Sequence, residues 1–266
     1  MKQKHAIGTN VVKPVYYGNW GDLWGFPLAA KLLPIVTKIP FLTPNVITMI
    51  GFTSFTLGSL LLFLTTVPYH LYLAAFLLPF GFFLDDLDGQ VARERKMYSE
   101  IGNYLDKVLD VLKIFIVSSS LSYAVYLETH NILHIFLGFI AASFFYMRYY
   151  IKLETVLRQV ELDKDYLDKS SRIMSQIKED RFARHQELSK TFTGKLIVFW
   201  ELNRTFFLVD EAEFAVFTGF FALINHLELG LWIIAIAQVA IFVWRFYERA
   251  HQTVNKSDRL YYFMRK

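Results

Sequence analysis

With 266 residues, 54% of them hydrophobic and 17% aromatic, the chain is too apolar for an ordinary soluble domain. It reads as an all-α polytopic membrane protein, because a spanning chain must satisfy its backbone polar groups inside helices or a closed barrel. The absence of Cys excludes disulfides and thiolate metal sites, and a net charge of +4 is too small to be the footprint of a nucleic-acid partner.

In chain order, residues 1–42 form an N-terminal segment with no charged-then-apolar-then-small pattern, so no cleavable signal peptide is expected. Its stretch 15–40 is aromatic, mildly basic and broken by Gly and Pro. That composition suits an amphipathic element at the cytoplasmic interface, with Trp20 and Trp24 at headgroup level; a plain arm packed on the bundle is the other reading. Six spans follow, at about 43–66, 70–92, 104–127, 131–151, 205–225 and 228–248. The first four make a block over 43–151 and the last two a block over 205–248. Between them, 152–204 is dense in both charge signs and reads as a cytoplasmic helical insertion, a solvated hairpin in preference to a lid over substrate. Asp210, Glu211 and Glu213 interrupt the fifth span, either at a kink or facing the bundle interior. The tail 249–266 is basic, with Arg249, Lys256, Arg259, Arg265 and Lys266. The links 66–70, 127–131 and 225–228 carry no Lys or Arg, and the opposite side collects Lys31, Lys38, Arg93, Arg95 and Lys96 with the insertion and the tail. The positive-inside rule therefore places both termini in the cytoplasm of a multi-pass cell-membrane protein.

Spans two and three carry the chemistry. Their facing ends read Asp85-x-x-Asp88-Gly89-x-x-Ala92-Arg93, then eight residues, then Gly102-x-x-x-Asp106-x-x-x-Asp110. A charged group at a helix centre in the bilayer costs about 2.5–3.5 kcal/mol on insertion scales, so four carboxylates here require a binding partner. At about 100° per residue, Asp85, Asp88, Gly89, Ala92 and Arg93 share a stripe roughly 140° wide, and Gly102, Asp106 and Asp110 share a narrower one. Two helices facing along these stripes bring the four carboxylates together as a hard oxygen-ligand site for Mg²⁺ or Mn²⁺, with room for two ions. Gly89 and Ala92 remove bulk beside the carboxylates, and Arg93 adds a planar cation suited to phosphate oxygens. Metal cage, small residues and one Arg together describe a nucleoside-diphosphate site whose mouth opens to the cytoplasm.

This segment, DDLDGQVARERKMYSEIGNYLDKVLD, resembles the defining motif of the CDP-alcohol phosphotransferase (CDP-alcohol phosphatidyltransferase) family, with every fixed position present. The stretch LTPNVITMIGF resembles the start of that family's first span. The resemblance implies displacement of CMP from a CDP-linked donor by an alcohol hydroxyl, as a step of phospholipid biosynthesis. It implies Asp85, Asp88 and Asp106 as metal ligands, with Asp110 as both a ligand and the general base. It further implies that Asn45, Thr48, Gly89, Ala92, Arg93, Ser99 and Gly102 line the CDP moiety, and it suggests a homodimer. Members either join CDP-diacylglycerol to a water-soluble alcohol or join CDP-choline or CDP-ethanolamine to diacylglycerol; the first is favoured here. Members with phosphorylated acceptors often carry a basic residue directly after the last Asp, where this chain has Val111.

The remaining polar residues have blander readings beside the functional ones. Asp86 falls outside the fixed spacing and reads as a neighbour. Lys113 lies on the Asp106/Asp110 face, as a compensating charge for Asp110 at i,i+3 or as a cation for an acceptor phosphate. Arg148, Lys152, Arg158 and Arg204 are explained by positive-inside placement, with Arg148 also a candidate for the acceptor pocket. His130 and His134, spaced i,i+4, read as interfacial histidines on the side away from the Asp cluster. A cation transporter is the reading from a different class, since acidic clusters also build ion relays. It leaves Gly89, Ala92 and Arg93 on the same stripe unexplained.

Overall fold

The computed structural model describes residues 20–97, 99–203, 206 and 209–254. Among them every regular element is an α-helix: α1 Trp20–Val36, α2 Pro44–Leu61, α3 His70–Arg95, α4 Glu100–Thr129, α5 Leu133–Leu162, α6 Tyr166–Leu188, α7 Phe192–Asn203, α8 Glu211–Leu223 and α9 Leu227–Val254. The side chain of Trp20, residues 15–19, Arg204 and the tail residues Lys256, Arg259, Arg265 and Lys266 lie outside the described residues.

Local chemistry sets the helix ends nearest the motif. Thr43 caps α2, its Oγ1 accepting from the Val46 N–H at 3.4 Å, and Pro44 takes the first helical position, where a missing N–H removes nothing. The α3 helix stops at Lys96, a left-handed residue at φ 55°. Ser99 starts α4 by accepting from the Gly102 N–H at 3.0 Å, and Glu100 places a negative charge in its first turn.

Among the described residues, four helices are long and apolar enough to cross a membrane: α2, α3, α4 and the Leu227–His251 part of α9. The α5 helix runs on past residue 151 to Leu162 and carries Arg148 and Lys152. The α8 helix has only 13 residues, about 20 Å at 1.5 Å per residue, short of a hydrocarbon core about 30 Å thick. Bulky apolar side chains stand outward on these helices, among them Leu57, Phe76, Phe139 and Ile236, as expected where lipid replaces water.

The core is shared by α2, α3, α4, α5, α8 and α9 through Phe55, Leu78, Val117, Phe145, Phe214 and Leu231. Close helix approach depends on small residues. A Cβ added to Gly81 would lie 2.8 Å from the Gly51 carbonyl oxygen and 2.8 Å from the Phe55 Cβ, so α2 and α3 nearly touch there. Likewise a Cβ on Gly219 of α8 would lie 3.0 Å from the Ala75 carbonyl oxygen on α3. A second cluster, with Ala29, Ile47, Phe83, Leu87 and Val91, docks α1 on the motif-bearing half of α3, with Trp24 packed against it. The α2 helix packs on both α3 and α4, while α3 and α4 make little direct contact with each other. That arrangement leaves a seam between the two motif-bearing helices.

His134 is buried and joins three elements. Its Nδ1 lies 2.8 Å from Thr129 Oγ1 and its Nε2 3.1 Å from Glu228 Oε1, tying the ends of α4, α5 and α9. It is a structural tie; His130, at φ 54°, forms the left-handed end of α4. In 152–204, α6 is polar outward and is clasped to α7 by Glu201, which accepts from Arg184 at 2.8 Å and lies 2.8 Å from His185. The outer face of α7 is apolar, with Phe192, Leu196, Phe199 and Trp200 exposed. The charge density of this region therefore belongs to the end of α5, the turn after it and α6, and not to α7.

Candidate active site

The seam holds the acidic motif. Ligand oxygens of Asp85, Asp106 and Asp110 all lie within 4.8 Å of one another, so the trio could hold a metal ion. Asp85 stands in the second half of α3, and Asp106 and Asp110 in the first three turns of α4. Asp88, one turn on from Asp85, is buried on the α2 side and accepts from Thr48 Oγ1 at 2.5 Å. The same hydroxyl lies 3.0 Å from the Pro44 carbonyl oxygen, so the Pro-started first turn of α2 fixes the Thr48 rotamer on Asp88.

The small residues lie where bulk would obstruct. A Cβ on Gly102 would stand 2.7 Å from Ser99 Oγ and 3.1 Å from Asn45 Oδ1, so Asn45, Ser99 and Gly102 meet at the mouth of the seam. A Cβ on Gly89 would meet the Arg93 guanidinium, with Nη1 at 3.5 Å: Arg93 folds back over the glycine it shares a face with. Its Cζ also stands 5.6 Å from the ring centroid of Phe26 on α1. Ala92 is half-buried beside them. Asp86 turns the other way, toward α1, where a Cβ on Gly25 would run into its carboxylate.

Both cations singled out for an acceptor are engaged by carboxylates. Lys113 is buried, with Nζ 2.6 Å from Asp85 Oδ1 and 3.1 Å from Asp110 Oδ1. Arg148 donates to Asp210 Oδ1 at 3.0 Å and lies over the Phe145 ring at 4.9 Å. Exposed Lys107 reaches Asp106 at 3.2 Å and Asp110 at 3.5 Å from the mouth.

Several contributors carried little or no signal in the sequence. Gln90 and Arg95 occupy variable positions of the motif. Gln90 Nε2 donates to the Phe26 carbonyl at 3.0 Å, and Arg95 donates to four carbonyls, of Val36, Thr37, Ile39 and Leu42, at 2.8–3.1 Å. Nothing but the fold could have paired them with α1. The acids that break the fifth span resolve into two roles. Glu213 is fully buried in the bundle, while Asp210 and Glu211 open α8 beside the site. Glu211 lies in the electrostatic field of Asp110, Lys113 and Asp85, and its Oε1 is 3.4 Å from the Tyr149 hydroxyl. Tyr146 donates to the Val111 carbonyl and stacks on Phe115 with ring centroids 4.7 Å apart, completing an aromatic wall.

A hard-ligand carboxylate trio, a glycine-lined mouth and an adjacent Arg fit divalent-metal chemistry on a diphosphate. Comparison with known proteins agrees at the level of family. The family model for CDP-alcohol phosphatidyltransferase matches residues 41–177, just over half of the chain and the whole of the site on α2 to α4. No curated protein matches the sequence. Among solved structures, the chain is similar to Mycobacterium tuberculosis phosphatidylinositol phosphate synthase, both with CDP-DAG bound and in complex with manganese and citrate. In each case identity is 22% and the TM-score 0.49; the match covers 85% of this chain and 93% and 88% of those chains, respectively. The chain belongs to the CDP-alcohol phosphatidyltransferase family and is a transferase of substituted phosphate groups.

Proposed function

We propose that this membrane enzyme transfers the phosphatidyl group of CDP-diacylglycerol to the hydroxyl of a small, unphosphorylated alcohol, with release of CMP. The observation that carries the reading is the convergence of Asp85, Asp106 and Asp110 in the seam, next to Asn45, Ser99 and Gly102. Asp85, Asp88, Asp106 and Asp110 are the residues that would hold Mg²⁺ or Mn²⁺, two ions in all. Bound there, the metal supplies charge neutralisation on the diphosphate. Asn45, Thr48, Gly89, Ala92, Arg93, Ser99 and Gly102 would cradle the CDP moiety. Asp110 takes the proton as the acceptor oxygen bonds to the lipid-bearing phosphorus; the bond from that phosphorus to the bridging oxygen breaks, and CMP leaves with the bridging oxygen.

The lipid-linked donor follows the commoner usage of the family. The unphosphorylated acceptor is supported by the charges on its side of Asp110. Arg148 is neutralised by Asp210, Lys113 is held by two aspartates, and Glu211 is an acidic side chain that brings no cation. A phosphate on the acceptor would face Glu211 with both nearby buried cations already engaged. In this reading α5 and α8 are the two remaining spans, the site opens to the cytoplasm together with both termini, and the working unit is a homodimer.

The test is CMP release by purified protein in detergent–lipid micelles with Mg²⁺. CDP-diacylglycerol is offered with serine, inositol, choline, ethanolamine, glycerol phosphate or inositol phosphate, and CDP-choline and CDP-ethanolamine are offered with diacylglycerol. Metal-dependent CMP release with CDP-diacylglycerol and an unphosphorylated alcohol is expected. Turnover only with a phosphorylated acceptor, or only with diacylglycerol as acceptor, overturns the substrate assignment; no CMP with any pair favours a cation-transport reading.

A further inference from the structure

We propose that Lys113 is an internal counter-ion of the metal centre, whose ammonium competes with the divalent ion for the Asp85–Asp110 edge of the cluster. The inference rests on the metal-dependent reading of the site. Its i,i+3 relation to Asp110 is ordinary helix geometry, but the shorter contact is the one across the seam, at 2.6 Å to Asp85 on α3. One buried ammonium thus bridges the two helices that carry the motif, at a place where they have little other contact. It holds two of the three carboxylates whose oxygens converge.

A divalent ion would draw on the same two carboxylates. Mg²⁺ needs a near-ideal octahedron at about 2.0–2.1 Å, and an ammonium held on two of the same carboxylates sets like charges side by side and competes for their lone pairs. Other charged groups do not substitute for Lys113. Lys107 lies at the exposed mouth on Asp106 and Asp110, and Arg148 is turned to Asp210. Without metal, Lys113 offsets repulsion among the aspartates and keeps α3 and α4 in register. With metal, the side chain must withdraw from at least one of them. The site is therefore assembled in advance, and its metal affinity is lowered by the charge that assembles it.

The experiment is a Mn²⁺ titration of the purified full chain in micelles, read by the loss of the free-ion electron paramagnetic resonance signal, with thermal unfolding followed in EDTA and in Mn²⁺. Lys113→Met is expected to bind Mn²⁺ at least tenfold more tightly than the wild type and to be less stable in EDTA, with Mn²⁺ restoring stability. Lys113→Arg keeps the charge and is expected to keep the weaker affinity. A folded Lys113→Met protein with unchanged or weaker Mn²⁺ affinity overturns the proposal. Should that variant not fold in EDTA, Lys113→Gln takes its place. Recovery of either variant on adding Mn²⁺ supports the proposal, and failure to fold even in Mn²⁺ overturns it, because the metal then does not take the ammonium's place. Absence of Mn²⁺ binding by wild type and variants alike is a separate outcome, which sinks the metal-dependent reading itself.

Discussion

Arg95 offers the sharpest test of how the motif region is held together. Its guanidinium donates to the carbonyls of Val36, Thr37, Ile39 and Leu42, gathering the end of α1 and the following turn onto the end of α3. Replacement by Met keeps much of the apolar stem and removes only the fork. A hydrogen bond to a charged group is worth about 1.5–3 kcal/mol, so four summed independently would give about 6–12 kcal/mol. The sum is an overestimate here, since Arg95 and these carbonyl-bearing residues are only partly buried and water can replace some of the lost bonds. About 3 kcal/mol is the expected loss, or roughly a hundredfold in the equilibrium that docks residues 36–42. Lys38 lies exposed within that turn, and tryptic cleavage after it tracks the open population when reclosing outpaces cleavage. Arg95→Met is expected to speed that cleavage roughly a hundredfold. Arg95→Lys should fall between, because an ammonium cannot reproduce the planar fork. Because Phe26 on α1 touches both Gln90 and Arg93, the Met variant should also raise the KM for the CDP donor. Less than a threefold change in cleavage would refute the reasoning and leave Arg95 as a topology-setting charge alone.

Three further outcomes are expected. Asp110→Asn should lower the rate of CMP release by about 10²–10⁴-fold, the usual contribution of a positioned base, while binding of the CDP donor persists; normal turnover removes Asp110 from that role. Gly81→Ala places a Cβ 2.8 Å from the Gly51 carbonyl oxygen, so α2 and α3 must separate, lowering stability by about 1–3 kcal/mol in thermal unfolding; an unchanged midpoint would show that the contact is loose. His134→Ala removes a buried ring that bridges Thr129 and Glu228, and should reduce thermal stability by about 1–3 kcal/mol with CMP release per folded molecule unaltered, which turnover below the unfolding range checks.

The parts of the fold and site legible in the sequence were those set by periodicity and fixed spacing. Asp85, Asp106 and Asp110 converge because residues three and four apart share a helix face, and Thr43–Pro44 and Ser99 mark starts that local hydrogen bonding dictates. What escaped depends on contacts between distant segments. Nothing in the residues around Arg95 names the carbonyls more than fifty positions earlier, and Gly25 looks like a helix breaker until α1 is laid against Asp86. The expected charged hairpin over 152–204 averaged a polar α6 with an apolar α7, which composition over a window cannot separate. The span count has the same origin. Alternation of apolar and charged runs sets six segments, but α8 begins only at Glu211 and is too short to span by length alone.

The acids at the start of α8 connect these observations. The α8 helix begins beside the acidic cluster, so Asp210 and Glu211 lie near Asp110, on the side from which the proposed function brings the acceptor. The Val209 backbone before it is held in a left-handed conformation at φ 42°, and its carbonyl accepts from buried Gln238 on α9 at 2.7 Å. A β-branched residue at positive φ is strained, so the surrounding structure must hold it, and the Gln238 amide is one visible clamp. Asp210 in turn holds Arg148 against Phe145 and keeps that guanidinium from facing the seam. In the proposed function the same geometry shapes the acceptor side, with two acidic side chains, Lys113 and Arg148 already engaged, and an aromatic wall. If the proposed function holds, that side should accept a neutral or amine-bearing hydroxyl compound in preference to a phosphate ester, which CMP release across the acceptor panel checks.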